Sequence, residues 1–321
     1  PQLRLLDRWT LGGELTEGAD CLKGVIEYLT RNDDDGLAVG LSTQLAQVYA
    51  RSGEHAAAEC TLRDALQRAS GKSKLLTQCV AWHELGSILL CRGLHGKASA
   101  CYRRAVRVRK KTSNSLEMAA NLVGLAAIAS NAYDHRKAMK LCHEGIVFAS
   151  KGGDVRQIVT ARKILANSFR ALMEVEAARY EFDRAELLCT THGLELDKNA
   201  VTIGRGWLEY EVAIVNEAGN LDKCEALLQM AYDRCQEVSQ PFSHIEVLLA
   251  LTWCAFFRGD HEMAERCLAD ATSLANGTSY SQLIAAVSVG RAALAQSRGS
   301  LTIAQDLYKD AQQLCKDSNS T

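Results

Sequence analysis

The sequence predicts an all-α solenoid of about eight helix hairpins, and three observations carry that expectation. Small and apolar residues recur at an interval of 40 residues along nearly the whole chain. Within each interval they fall three and four apart, which is one face of a helix, and the face stops and restarts at a glycine or its substitute. The polar stretches between intervals are all short, so successive hairpins stack without a break. A single hairpin of this kind cannot bury its own apolar face, and recurrence is what gives it a core.

The first 38 residues already hold the phase, with Leu5, Leu6, Trp9, Gly13, Gly18, Leu22 and Val25 in the repeat columns. Residues 1–38 are therefore expected to be a partial N-terminal repeat, opening inside a first helix with more protein ahead of Pro1. Residues 39–321 then carry seven complete repeats, continuous with 1–38 as one domain. The clearest copy runs from Cys79 to Lys111: Trp82, Leu85, Gly86 and Leu89 form one face, Gly93 turns the chain, and Ala98, Tyr102 and Ala105 form the second. Gly86, Ala98 and Ala105 let two helix backbones approach, while Trp82 and Tyr102 fill the space beside them. The turn column reads Gly53, Gly93, Tyr133, Met173, Gly219, Gly259 and Gly299. The second-helix column reads Ala58, Ala98, Ala138, Ala178, Cys224, Ala264 and Ala304. Between the fourth and fifth complete copies the phase slips by six residues, and a longer connection or a changed superhelix is expected near residues 192–205, beside Gly204 and Gly206.

These residues resemble a family. Trp-x-x-Leu-Gly from Trp82 to Gly86, followed by Leu89, Gly93, Ala98, Tyr102 and Ala105, is similar to the tetratricopeptide (TPR) signature. The 40-residue unit is longer than the usual 34, and the closing proline is missing, since the prolines are Pro1 and Pro241. The 40-residue unit implies a longer second helix or loop, and in this it resembles the TPR-like arrays of STAND-type regulators and some eukaryotic scaffolds. The resemblance implies a right-handed superhelix in which the first helix of each hairpin lines a concave groove.

Composition narrows the function classes. Thirty-seven basic and 38 acidic side chains leave a net charge of −1, so no bulk field steers the chain to nucleic acid or an anionic membrane. No apolar run of membrane-spanning length and no signal-peptide pattern is present, which reads as a soluble, cytoplasmic chain. None of the 12 cysteines forms a Cys-x-x-Cys pair, and Cys189, Cys235 and Cys315 share one apolar column, which reads as buried reduced thiol. His55, His95, His135 and His261 share the column two residues after the turn. Successive copies sit on the order of 10 Å apart, whereas two zinc ligands must each lie about 2 Å from the ion, so no metal and no cofactor is expected. The chain has no phosphate-binding loop, no zinc-protease motif and no nucleophile motif, and it reads as no enzyme.

What remains is the inner face. Asn131, Lys163, Asn167, Arg170 and Asn216 make its middle polar, with two positive charges, and Trp253 and Phe256 follow as an aromatic patch beside Phe257. These residues are the expected contact surface for a protein or peptide, acidic in part, with an apolar neighbour. Lys163 and Asn167 also resemble the first half of the carboxylate clamp with which some TPR proteins hold a C-terminal acid. The rest of that motif is absent, with Tyr210, Glu246 and Ala250 in its place. The basic run Arg103, Arg104, Arg107, Arg109, Lys110 and Lys111 reads as a solvated outer face or a patch for an acidic partner. The expected function is thus a protein-binding scaffold or adaptor, part of a larger protein. The alternatives are the sensor arm of a STAND-type ATPase or transcriptional regulator, binding a small effector or trigger protein, and, less favoured, a nucleic-acid-binding solenoid.

Overall fold

A computed structural model describes residues 15–32, 34–69, 75–109, 116–215, 221–237, 240–276 and 281–320. Among them are fifteen helices and no strand. Helix α1 (Leu15–Arg31) is the second helix of the opening partial repeat. Seven hairpins follow: α2 (Asp35–Arg51) with α3 (His55–Arg68), α4 (Leu75–Cys91) with α5 (His95–Arg109), α6 (Leu116–Asn131) with α7 (His135–Gly152), and α8 (Val155–Ala171) with α9 (Val175–His192). The remaining three are α10 (Glu195–Val215) with α11 (Leu221–Glu237), α12 (Pro241–Arg258) with α13 (His261–Asn276), and α14 (Ser281–Ser297) with α15 (Leu301–Ser320). Helix α2 begins inside the 1–38 stretch, four residues ahead of the boundary read from the sequence.

The punctuation follows from backbone chemistry. Asp34, Asp134 and Asp154 cap α2, α7 and α8, their carboxylates accepting from the backbone N–H groups of Leu37, Lys137 and Gln157 at 3.4, 3.2 and 3.2 Å. Pro241 opens α12, where its missing N–H has no partner to lose. The turn column takes a left-handed residue throughout its described members: Gly53, Gly93, Gly259 and Gly299 have φ of 86°, 76°, 75° and 77°. Tyr133 (φ 60°) and Met173 (φ 59°) take the same conformation without being glycine. Gly219 lies outside the described residues.

Every helix packs on the next, and each first helix also packs on the first helices of the adjoining repeats, α2 on α4 and so on to α12 on α14. The first helices therefore form an inner layer and the second helices an outer one. The apolar columns become the seams: Ala58, Ala98, Ala138, Ala178 and Ala264 are fully buried, as are Leu62, Cys142, Phe182 and Leu228. Tyr102 is buried in a slot that two glycines make. A Cβ on Gly86 would lie 2.9 Å from its ring, and one on Gly124 only 2.4 Å. Gly204 does the same for Phe182 at 2.7 Å, and Gly206 for Leu228 at 2.5 Å. Trp82 does not share that space. It is half-buried at the surface, with the Arg104 guanidinium over its ring at 4.8 Å.

The six-residue slip is absorbed in an unexpected place. The connection between α9 and α10 is as short as its counterparts, and α10 itself lengthens to 21 residues, against 16 to 18 in the other first helices. Gly204 and Gly206 are thus mid-helix packing positions on α10 and not loop residues. Cys189 and Cys235 are buried as their column requires, whereas Cys315 is exposed, because among the described residues no further helix covers the outer side of α15.

Candidate functional site

The inner layer winds far enough to meet itself. The turn between α4 and α5 reaches across to the last three repeats: Cys91 packs on the apolar cluster that Leu248, Trp207, Tyr210 and Phe256 belong to. His95 Nε2 lies 2.7 Å from Gln282 Nε2 at the start of α14. The end of α2 comes likewise over the starts of α8, α10 and α12, where Arg51, Arg156, Asp197 and Phe242 border a cleft of about 290 Å³. Arg156 and Asp197 form an ion pair there at 3.0 Å. The concave face is consequently a lumen with a bordered mouth.

Lys163, Asn167 and Arg170 lie three and four apart on α8, half-buried in this lumen. Arg170 is ion-paired with Glu211 of α10. Burial raises the Glu211 pKa even so, with Arg170 opposing it. Lys163 has no ion-pair or hydrogen-bond partner among the described residues. Its charge acts across the lumen on Glu246 of α12, whose pKa burial raises and Lys163 and Arg170 pull back. The Cys91 thiol beside them is pushed up to about 11, chiefly by burial. The phenol of Tyr210 is pushed up to about 12, again chiefly by burial. The lumen therefore holds a cation and a carboxylate that face each other without closing into an ion pair, in a medium that strengthens any charge a ligand brings.

The other expected contact residues scatter. Asn131 is the last residue of α6 and is exposed. Trp253 and Phe256 are half-buried on α12 with ring centroids 5.6 Å apart, and Phe256 meets His261 at 6.2 Å. Asn216 lies outside the described residues, as do Lys110 and Lys111 of the basic run. Glu246, Glu211, Tyr210 and Cys91 were not among the expected site residues. Tyr210 and Glu246 stand where a carboxylate clamp needs an asparagine and a second cation, so the lumen presents one positive arm and one negative one. The four histidines each start a different second helix, and among the described residues no group of His, Cys, Asp or Glu gathers to hold a metal ion.

No protein-family model matches the sequence, and no curated protein matches it. Solved structures do. A Rap protein complexed with Competence and Sporulation Factor matches with a TM-score of 0.66 at 14% identity, over 94% of this chain and 89% of that one. The apo form of RapI matches at 0.60 and 10% identity, over 87% of this chain and 99% of that one. A STAND signal-transduction ATPase with a tetratricopeptide repeat sensor, from Pyrococcus horikoshii, matches at 0.54 and 12% identity, over 91% of this chain but 44% of that one. At these identities the likeness is one of fold, and it agrees with the repeat columns: the chain is a TPR-like helical-repeat solenoid.

Proposed function

We propose that the chain is a non-enzymatic polypeptide-binding module, one continuous array that takes a peptide or protein segment into its lumen. The observation that carries this reading is Lys163. A half-buried ammonium with no ion-pair or hydrogen-bond partner among the described residues stands in the layer that elsewhere buries alanine, leucine and valine, and a ligand carboxylate would complete it. Glu246 opposite would take an N–H or ammonium of the same ligand, while Asn167 would bond its backbone. Trp253 and Phe256 would receive an apolar side chain further along the lumen. The Rap protein solved with Competence and Sporulation Factor supports the reading by its fold. The test is to select peptides from a random library on the folded chain and then measure their affinity for Lys163→Ala. Loss of about tenfold or more is expected, since a charge-assisted contact contributes about 1.5–3 kcal/mol, with an unchanged melting curve. Undiminished binding to Lys163→Ala and to Glu246→Gln would refute the lumen site.

A second reading has one observation behind it. Ninety-one percent of this chain matches 44% of the STAND ATPase, so the array would serve as the sensing part of a larger regulator whose lumen takes a small effector or trigger protein. A nucleotide-binding motif encoded in the same reading frame ahead of Pro1 would support it.

A further inference from the structure

Charge is segregated along this near-neutral chain. Residues 95–151 carry eleven basic and three acidic side chains, whereas residues 174–237 carry six basic and fourteen acidic ones. Part of the acidic surplus is met by cations from elsewhere in the fold. Arg156 pairs with Asp197, Arg162 with Glu181, Arg170 with Glu211, and Arg258 with Asp222 and Glu225, each bringing a cation from outside the acidic segment. The basic surplus is different. Lys97, Arg103, Arg104 and Arg107 on α5, and Lys137 and Lys140 on α7, are exposed and form no ion pair among the described residues. Both helices belong to the outer layer, away from the lumen.

A cavity of about 580 Å³ opens in that basic face between α3, α4 and α5. Leu66, Trp82 and Cys101 line it with apolar surface, and Arg63, Lys97 and Arg104 border it. Arg104 is held in place by stacking on Trp82, so its guanidinium is oriented before anything binds. The groove between α11, α12 and α13, about 490 Å³ and nearer the hairpin turn, differs in its lining. It has no aromatic lining, and Arg258 there is tied to Asp222 and Glu225. We infer that the groove of α3, α4 and α5 docks an acidic segment of a partner protein, one apolar side chain seated against Trp82 and Leu66 with carboxylates on either side meeting Lys97, Arg104 and Arg107. A single-stranded nucleic acid needs successive aromatic platforms, and this face offers one indole.

The test uses the full chain and a fluorescein-labelled peptide in which one phenylalanine is flanked on both sides by glutamates, read by anisotropy at low and high salt. Saturable binding that weakens with salt is expected. Lys97→Glu with Arg104→Glu should weaken it about tenfold or more, as should Arg107→Glu with Lys140→Glu, two exposed positions. Lys163→Ala should leave it unchanged, which separates this site from the lumen. Equal binding of a peptide with alanine in place of phenylalanine, tighter binding of an oligodeoxynucleotide, or full affinity in the Arg107→Glu, Lys140→Glu variant would each overturn the inference.

Discussion

His55 shows how far one side chain's chemistry can be bent by its place in the repeat. It starts α3 fully enclosed, and burial, with the Arg92 cation adding to it, lowers its pKa from 6.5 to about 4. The unfolded chain therefore binds a proton that the folded chain refuses, and stability falls as pH drops from 6.5 toward 4, by about 3 kcal/mol in all. Denaturant midpoints between pH 7 and 4 measure this, and His55→Phe should flatten the profile. Glycine substitutions sort by what surrounds them. Gly124→Ala should lose about 1–2 kcal/mol, because its Cβ would strike the buried Tyr102 ring and the gain in helix propensity does not offset that. Gly24→Ala on exposed α1 meets nothing within 4 Å and should gain about 0.5–1 kcal/mol. At the turn column the sign reverses again. Met173→Gly removes a half-exposed side chain from a left-handed residue and should stabilise by about 0.5–1 kcal/mol, the relief of strain exceeding the entropy gained by the unfolded chain.

Between helices, apolar columns outweigh charge. The pairs Arg92–Glu59, Arg258–Glu225 and Arg298–Glu265 recur at one register and link the ends of α4, α12 and α14 to the preceding outer helices. Arg298 and Glu265 are half-exposed at 49% and 54%, so solvent screens them and Arg298→Ala should leave the denaturant midpoint within error. Glu209 is different. It is 8% exposed on α10 and accepts from Arg179 of α9 at 3.1 Å and Lys223 of α11 at 2.8 Å. Burial alone would raise its pKa, but these hydrogen bonds prevail and lower it. Glu209→Ala should cost about 1–3 kcal/mol by leaving Arg179 without its buried partner, and the same titration of midpoints tests both variants. Arg170→Ala belongs with Glu209, since it strands Glu211. Lys163→Ala is accordingly the cleaner probe of the lumen.

At the scale of the whole molecule, what was legible in the sequence was what each copy repeats. The hairpins, the turn column, the alanine seams and the inner face of α8 all follow from residues three, four or 40 apart. The lengthening of α10 was not legible, because the column count registers an insertion without saying which element absorbs it. The lumen's other half was harder still. Glu246 and Cys91 meet Lys163 only because the superhelix turns through enough repeats to bring α4 and α12 together, and the same turn sets His95 beside Gln282 across 187 residues. Rotation per repeat accumulates from packing at every seam, and no local pattern records it. On the proposed function, this closed inner layer is where a polypeptide binds. Amide hydrogen exchange of the full chain, with and without a peptide selected on it, is the decisive measurement. Added protection in α8, α10 and α12 is expected. Protection confined to the outer helices, with those three unchanged, would contradict it.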